Sequence, residues 1–339
     1  MRNNKYILIL FLSPLLAIIL FSSCKKNLPD ERLSISNDSR YTQYLYEPVL
    51  GRATLFANVF QYGNSSRPLD FKIVNMRTFT NEDAPELTKN YPVLVWRQAY
   101  DGTEKSVAEI DAKRATENHP LFEIRPHSGE FMMWPEADSR TVKAQPDSGY
   151  VFDVEMSNSG GRKYYQNFRL RPLRERSYEP SPLDPITGQG TSVSVNPSSV
   201  NIQGERGQPL SGRDVRVLFR KTGKGNSLTF KFIDSLSNPI DPNKFATTDW
   251  GNLVHGFNMV KNDTEVKYEV AYPVPCTSRP TKYTTSSGSQ ARVVFRFERL
   301  GFGNILQKNS LSFNFNIYEK GDWEITFWFV KDRPKFTND

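Results

Sequence analysis

The chain of 339 residues has only two cysteines and three histidines. That is too few for a disulfide framework, and it leaves the usual zinc ligand sets without material. There is no Gly-x-Ser-x-Gly elbow, so the α/β-hydrolase arrangement of a nucleophilic serine is absent. No glycine-rich loop opens a helix where phosphate could be cradled. After residue 24 no apolar run approaches the length of a spanning helix, about 20 residues. Excess charge is small: 44 Lys and Arg against 37 Asp and Glu leave +7. With 22 Pro and 20 Gly the chain is neither collagen-like nor of low complexity. Aromatic residues are plentiful, with 23 Phe and 15 Tyr, and they favour pleated, half-buried strand surfaces.

Residues 1–23 read as an export leader. Arg2 and Lys5 charge the start, 6–21 is nearly all apolar apart from Ser13-Pro14, and Ser22-Ser23 precede Cys24. That run is short for a span and suits a segment removed by a peptidase. Leu20-Phe21-Ser22-Ser23-Cys24 resembles a bacterial lipoprotein box, in which the cysteine is acylated and becomes the first mature residue. Phe21 stands where Leu is commoner. An ordinary leader or an uncleaved anchor is the alternative. The mature chain is therefore expected to hang from a membrane by lipid on Cys24, with 24–40 as tether. Loss of Arg2 and Lys5 lowers the charge from +7 to +5. Lys25 and Lys26 can then touch anionic headgroups. Cys276 is left as an odd thiol, read as buried and inert against the alternative of an intermolecular pair. Arg169, Arg171, Arg174 and Arg176 form the densest basic stretch. No nucleic acid is expected for an exported chain, so they read as a solvated surface, with anionic envelope glycans second.

Composition shifts over 177–211, which holds five Pro, four Gly and seven Ser and reads as a linker or strap. It divides the mature chain into 41–176 and 212–339, each long enough for its own core. Strand-length alternation falls at 71–76, 92–96, 121–125, 130–134, 150–156 and 164–170 in the first half. One helix is expected between two of these strands, opened by the capping box Ser106 to Glu109 and stopped by Asn118 and Pro120. Such a first half suggests an immunoglobulin-like sandwich with one short inserted helix, and Tyr150 is analogous to the tyrosine corner of those domains. The second half alternates at 215–219, 228–233, 266–272, 291–297, 311–318 and 323–330. It reads as a second antiparallel sandwich, immunoglobulin-like or jelly-roll, so the whole is mostly all-β.

Several short strings occur in order: Leu28-Pro29-Asp30-Glu31, Tyr46-Glu47-Pro48-Val49-Leu50-Gly51-Arg52, Ala84-Pro85-Glu86-Leu87, Phe122-Glu123-Ile124-Arg125, His127-Ser128-Gly129-Glu130-Phe131 and Leu183-Asp184-Pro185-Ile186-Thr187-Gly188. With them the chain resembles a family of Bacteroidota lipoproteins known as domain of unknown function 5007. The likeness covers essentially the mature chain and is looser in the second half. It implies an outer-membrane lipoprotein in the company of SusC/SusD-type uptake pairs, and it carries no catalytic or ligand residues. Lys25-Lys26 departs from the acidic run of lipoproteins exported to the cell surface, so both leaflets stay open.

Chemistry-bearing residues are sparse. His127 and Ser128 are adjacent and would point to opposite faces of a strand. Glu130, Glu136 and Asp138 lie near Trp134, but acids at this density are ordinary surface. His119, Glu123 and His127 would align only on a helix, which Pro120 and Pro126 oppose. His255 reads as structural. No catalytic residue, metal site or cofactor is expected.

The C-terminal alternation says more. A hairpin through Glu319-Lys320-Gly321, a type I turn closed by a Gly bulge, would set Ile317 opposite Trp323 and Phe313 opposite Phe327 on an apolar face. The other face would pair Ser312 with Trp328, Asn314 with Thr326 and Asn316 with Glu324. Amides, hydroxyls and a carboxylate around an indole suit a sugar. The alternative is a plain solvated face with Trp328 covered by a loop or by the partner domain. The function expected is an accessory glycan-binding component of a SusC/SusD-type uptake system. A structural subunit packed on a transporter or other envelope protein, and less so a glycan hydrolase, are the other readings.

Overall fold

A computed structural model of the protein describes residues 33–339. The leader and Cys24 lie outside the described residues. Strand makes up 44% of the structure and helix 7%, so the chain is all-β, as its alternation and aromatic content imply.

The first half lays down β1 (Arg40–Tyr41), β2 (Leu45–Tyr46), β3 (Thr54–Phe56), β4 (Phe60–Gln61), β5 (Asp70–Thr78), β6 (Asn90–Trp96), β7 (Arg114–Pro120), β8 (Phe122–Ile124), β9 (Phe131–Met133), β10 (Tyr150–Asn158) and β11 (Gly161–Leu170). Two short helices, α1 (Pro85–Thr88) and α2 (Val107–Asp111), interrupt them. One sheet runs β2-β11-β10-β5, with β2 parallel to β11, and a second runs β3-β9-β8. Between them pack Tyr46, Phe131, Phe152 and Phe168, all fully buried, with the Phe152 and Phe168 rings 5.2 Å apart. Each such ring contributes about 2–3 kcal/mol by leaving water. The buried Tyr150 hydroxyl accepts from the Lys143 amide (2.7 Å) and donates to Glu86 (2.7 Å), an upstream backbone contact like that of a tyrosine corner.

Strands β6 and β7 form a separate ribbon, paired from Asn90–Pro120 to Trp96–Arg114, whose far loop carries α2. The helix is shorter than expected. Ser106 does cap it, its Oγ accepting from Glu109 N (3.1 Å), but Glu109 reaches the Lys105 amide rather than that of Ser106. Beyond Ala112 the chain gains more by pairing residue for residue with β6 than by continuing a helix that buries only Ile110.

The second half contains β12 (Tyr178–Glu179), β13 (Ser198–Val200), β14 (Val215–Gly223), β15 (Ser227–Ile233), β16 (Gly256–Lys261), β17 (Glu265–Val270), β18 (Ala291–Gly301), β19 (Ile305–Ile317) and β20 (Asp322–Phe329). One sheet has β19 at its centre, flanked by β18 on one side and by β12 and β13 on the other. The opposing sheet runs β14-β20-β15-β17-β16, with β15 parallel to β20. The core between them is aromatic: Phe295 lies 4.8 Å from Phe232 and 5.0 Å from Phe327.

Three expectations need correction here. Strands β19 and β20 do not form a hairpin; they belong to opposite sheets. Tyr178 of β12 and Val274 occupy the two edges of Ile317, so no edge is left for Trp323. The two apolar faces meet across the sandwich instead, with Phe313 and Phe327 edge to face at 5.9 Å. Segment 177–211 is not a free connection either. It supplies β12 and β13 to β19, and Val195 O accepts from Val217 N (2.8 Å). The basic stretch, finally, is half-buried rather than solvated. Arg174 Nε donates to Gln145 O and Ile186 O (both 3.1 Å), and Arg176 pairs with Glu179 (2.5 Å), so these side chains fasten the strap.

Candidate functional site: a basic cleft beside strand β18

Because β19 and β20 part company, the six polar-face residues are distributed over two surfaces. Glu324, Thr326 and Trp328 lie on the outer face of the β14–β16 sheet. There Glu324 is committed to Arg220 (2.5 Å) and Lys231 (2.7 Å). Burial raises the affinity of the Glu324 carboxyl for its proton, and those two cations outweigh it, holding the group below the ordinary carboxylate range. Trp328 is half-buried beside Ile233, with the Arg216 guanidinium 5.7 Å from its ring centroid. On the other sheet Asn316 is buried and donates to Ser289 O (2.8 Å), a structural role. Ser312 and Asn314 remain accessible, directly opposite Val294 and Arg292 of β18.

Their register partners Arg292 and Val294 line a cleft of about 400 Å³. Its floor is the outward side of β18, where strand alternation sets Arg292, Val294 and Arg296 on one face. One wall is the turn Asp249 to Leu253, hung on β18 where Arg296 N donates to Thr248 Oγ1 (2.6 Å). The other wall is Lys282 with Thr284, held by Arg292 N to Tyr283 O (3.0 Å). Lys282 Nζ reaches across to Asn252 Oδ1 (2.6 Å), tying the walls together. The lining holds three cations and one acid. Among the described residues neither Arg292 nor Arg296 has a carboxylate within ion-pair distance, whereas Arg299 of the same strand points inward and pairs with Asp339 (2.8 Å).

The wall is braced by residues from the first half of the chain. Tyr283, in the turn between Lys282 and Thr284, stacks on His255 at 4.8 Å and 8°, and the Lys282 ammonium lies 4.9 Å from its ring centroid. His255 Nε2 lies 2.8 Å from Glu104 O, which can only accept, so Nε2 carries the proton. Nδ1 is then free to accept from the Tyr100 hydroxyl at 2.6 Å. Tyr100 and Glu104 both belong to the loop between β6 and β7. The ribbon also sends Arg114 Nη1 to Tyr272 O (2.7 Å) and packs Ile110 with Ala271 and Cys276. Cys276 is a free, buried thiol pushed up to about 11 by its burial, which fits an inert role. The adjacent pair that sequence singled out, His127 and Ser128, is occupied elsewhere: His127 faces Asp70 (3.2 Å) and Ser128 faces Glu130 (3.1 Å). His119 bonds Glu123 (2.9 Å) and Glu117 (3.1 Å), apart from His127.

Sequence reasoning missed the cleft, although one signal was available. Arg292, Val294 and Arg296 alternate with the core residues Val293, Phe295 and Phe297, which places both arginines on the outer face.

Residues 60–338 match the family described as Domain of unknown function (DUF5007). The chain belongs to this family. The match takes in both sandwiches from β4 onward, the cleft included. No curated protein matches the chain. Among the described residues no helix is long and apolar enough to cross a membrane.

Proposed function

We propose that the protein is a non-catalytic binding protein of the cell envelope, held on the outer membrane by lipid on Cys24. Its ligand is a saccharide seated over Arg292, Val294 and Arg296, with Ser312 and Asn314 extending the contact. In this role it serves as an accessory component of a SusC/SusD-type uptake system. The observation that carries the reading is the cleft, whose 400 Å³ falls within the size class of small-molecule sites and whose arginines have no carboxylate partner among the described residues. Among the described residues Asp249 is the only acid in its lining, and glycoside hydrolysis ordinarily needs two carboxylates, so the arrangement favours holding a glycan over cleaving one.

Calorimetric titration of the purified full chain against a panel of polysaccharides tests this, with Arg292→Ala and Trp328→Ala in parallel. Binding lost in the first variant and kept in the second is the expected result. Binding lost with Trp328→Ala alone would return the site to the opposite sheet, and silence across the panel would sink the saccharide reading. Anchoring has a separate test, since Cys24→Ser should move the protein from the membrane fraction to the soluble one.

One observation favours the structural-subunit reading. At the tip between β18 and β19, Phe302 is 90% exposed and Ile305 67%. Single exposed apolar side chains are common, but two at one tip suit a protein contact. Co-purification with a transporter that Phe302→Ser abolishes would support that reading.

A further inference from the structure

Resting on the cleft as a saccharide site, we propose that its ligand is an acidic saccharide, one bearing carboxylate or sulfate groups, gripped by Arg292 and Arg296 with Lys282 on the wall. The charge balance is the first argument. Three cations face one acid; Asn252 ties Asp249 (3.1 and 3.2 Å) to Lys282 (2.6 Å), which leaves Arg292 and Arg296 as the cations with no carboxylate partner among the described residues. The like charges of Arg292, Arg296 and Lys282 repel one another across a concave surface, where field lines concentrate, and an anion relieves that repulsion.

Geometry narrows the class. Arg292 and Arg296 are four residues apart on one strand face, about 13 Å between Cα atoms at the usual rise. A saccharide chain that carries acidic groups at several points along its length can meet both guanidinium groups at once. Each planar guanidinium offers a paired donor fork that matches carboxylate or sulfate oxygens. Between the two forks lies Val294, a half-buried apolar side chain on which the C–H side of a sugar ring can rest. Ser312, opposite Val294, and Asn314, opposite Arg292, then stand beside that ring with a hydroxyl and an amide for its own hydroxyls.

The test is titration of the full chain in detergent micelles with polygalacturonate as the carboxylate probe and dextran sulfate as the sulfate probe. Neutral dextran and poly-glutamate are the controls. Acidic polysaccharides should bind at least about tenfold more tightly than dextran, and the sulfate and carboxylate arms decide which acid is preferred. Arg292→Ala and Arg296→Ala should each weaken binding about tenfold or more, while Arg292→Lys keeps part of the affinity. Raising salt from about 50 mM to about 500 mM should weaken it further. Both arginines are exposed, so these variants leave the core alone. Dextran binding as tightly as polygalacturonate would overturn the acidic class and leave the saccharide reading standing. Poly-glutamate binding as well as polygalacturonate would show a merely basic surface and overturn the saccharide class. No binding by any probe would overturn both.

Discussion

Replacing His255 by alanine tests how the β6–β7 ribbon is locked to the second sandwich. Four interactions end on that ring: the bond from Tyr100 Oη (2.6 Å), the bond to Glu104 O (2.8 Å), the stack on Tyr283 (4.8 Å) and an edge-on contact with Phe257 (5.1 Å). Tyr100 is only 5% exposed, so its hydroxyl is stranded without water when the imidazole goes. A stranded buried polar group costs about 1–3 kcal/mol, and loss of a stacked aromatic pair adds about 0.5–1.5 kcal/mol. The sum is about 2–4 kcal/mol. Tyr100→Phe alone should cost less, because it leaves only Nδ1 unpaired. The double variant should be about 1–2 kcal/mol more stable than the two single losses predict, since removing both partners strands neither. Urea unfolding followed by tryptophan fluorescence measures the sum. Hydrogen exchange at residues 97–113 and 281–290 locates it, and faster exchange in both segments is expected. A loss under about 1 kcal/mol, strict additivity, or exchange changed only at the substituted residue would refute the lock.

Three other expectations concern stability and pH. Asp322 accepts from Ser227 Oγ (2.7 Å) and Gly225 N (2.9 Å), which hold its carboxyl below the ordinary range. Its stabilisation is present above the unfolded carboxyl value of about 3.9 and is lost as pH falls through the folded one. Asp322→Ala should therefore cost about 2 kcal/mol at neutral pH and flatten the acid limb of the urea midpoint. His119 is the opposite case. Burial lowers its proton affinity, but Glu123 and Glu117 outweigh that and leave it raised. Its contribution is complete below about pH 6.5 and fades as pH climbs through the raised value, so His119→Gln should flatten the urea midpoint across that window. Gly288 has φ +76°, and a Cβ there would lie 2.3 Å from the Arg279 carbonyl carbon. Gly288→Ala should cost about 1–3 kcal/mol by thermal unfolding and weaken polygalacturonate binding through the displaced 282–284 wall; unchanged values for both would contradict the account of that wall.

The limits of sequence reasoning show at particular residues. Alternation placed Leu311, Phe313, Phe315 and Ile317 on one face of a strand, and all four are buried. It could not name the strand across from them, because an apolar face fits equally well beside another in one sheet or opposite it in the next. The loop chemistry of Glu319-Lys320-Gly321 allowed a hairpin. What prevents one is Tyr178, which lies at the edge of Ile317 although 139 residues separate them, a contact that no local pattern encodes. The same blindness hid the cleft, whose walls come from 249–253 and 282–284 and whose floor is β18.

By itself the sequence determined the fold class, most strand positions, the helix start at Ser106 and the family. These rest on periods of two residues, capping and turn chemistry, and strings read along the chain. Only the tertiary structure decided that β19 and β20 face each other across a core and that the 177–211 segment is woven into a sheet. It also decided that Arg292 and Arg296 floor a cleft while Asn316 is spent on Ser289. Each of those outcomes depends on which distant segment claims an edge or a face, and that is settled by competition for burial among the whole set of strands.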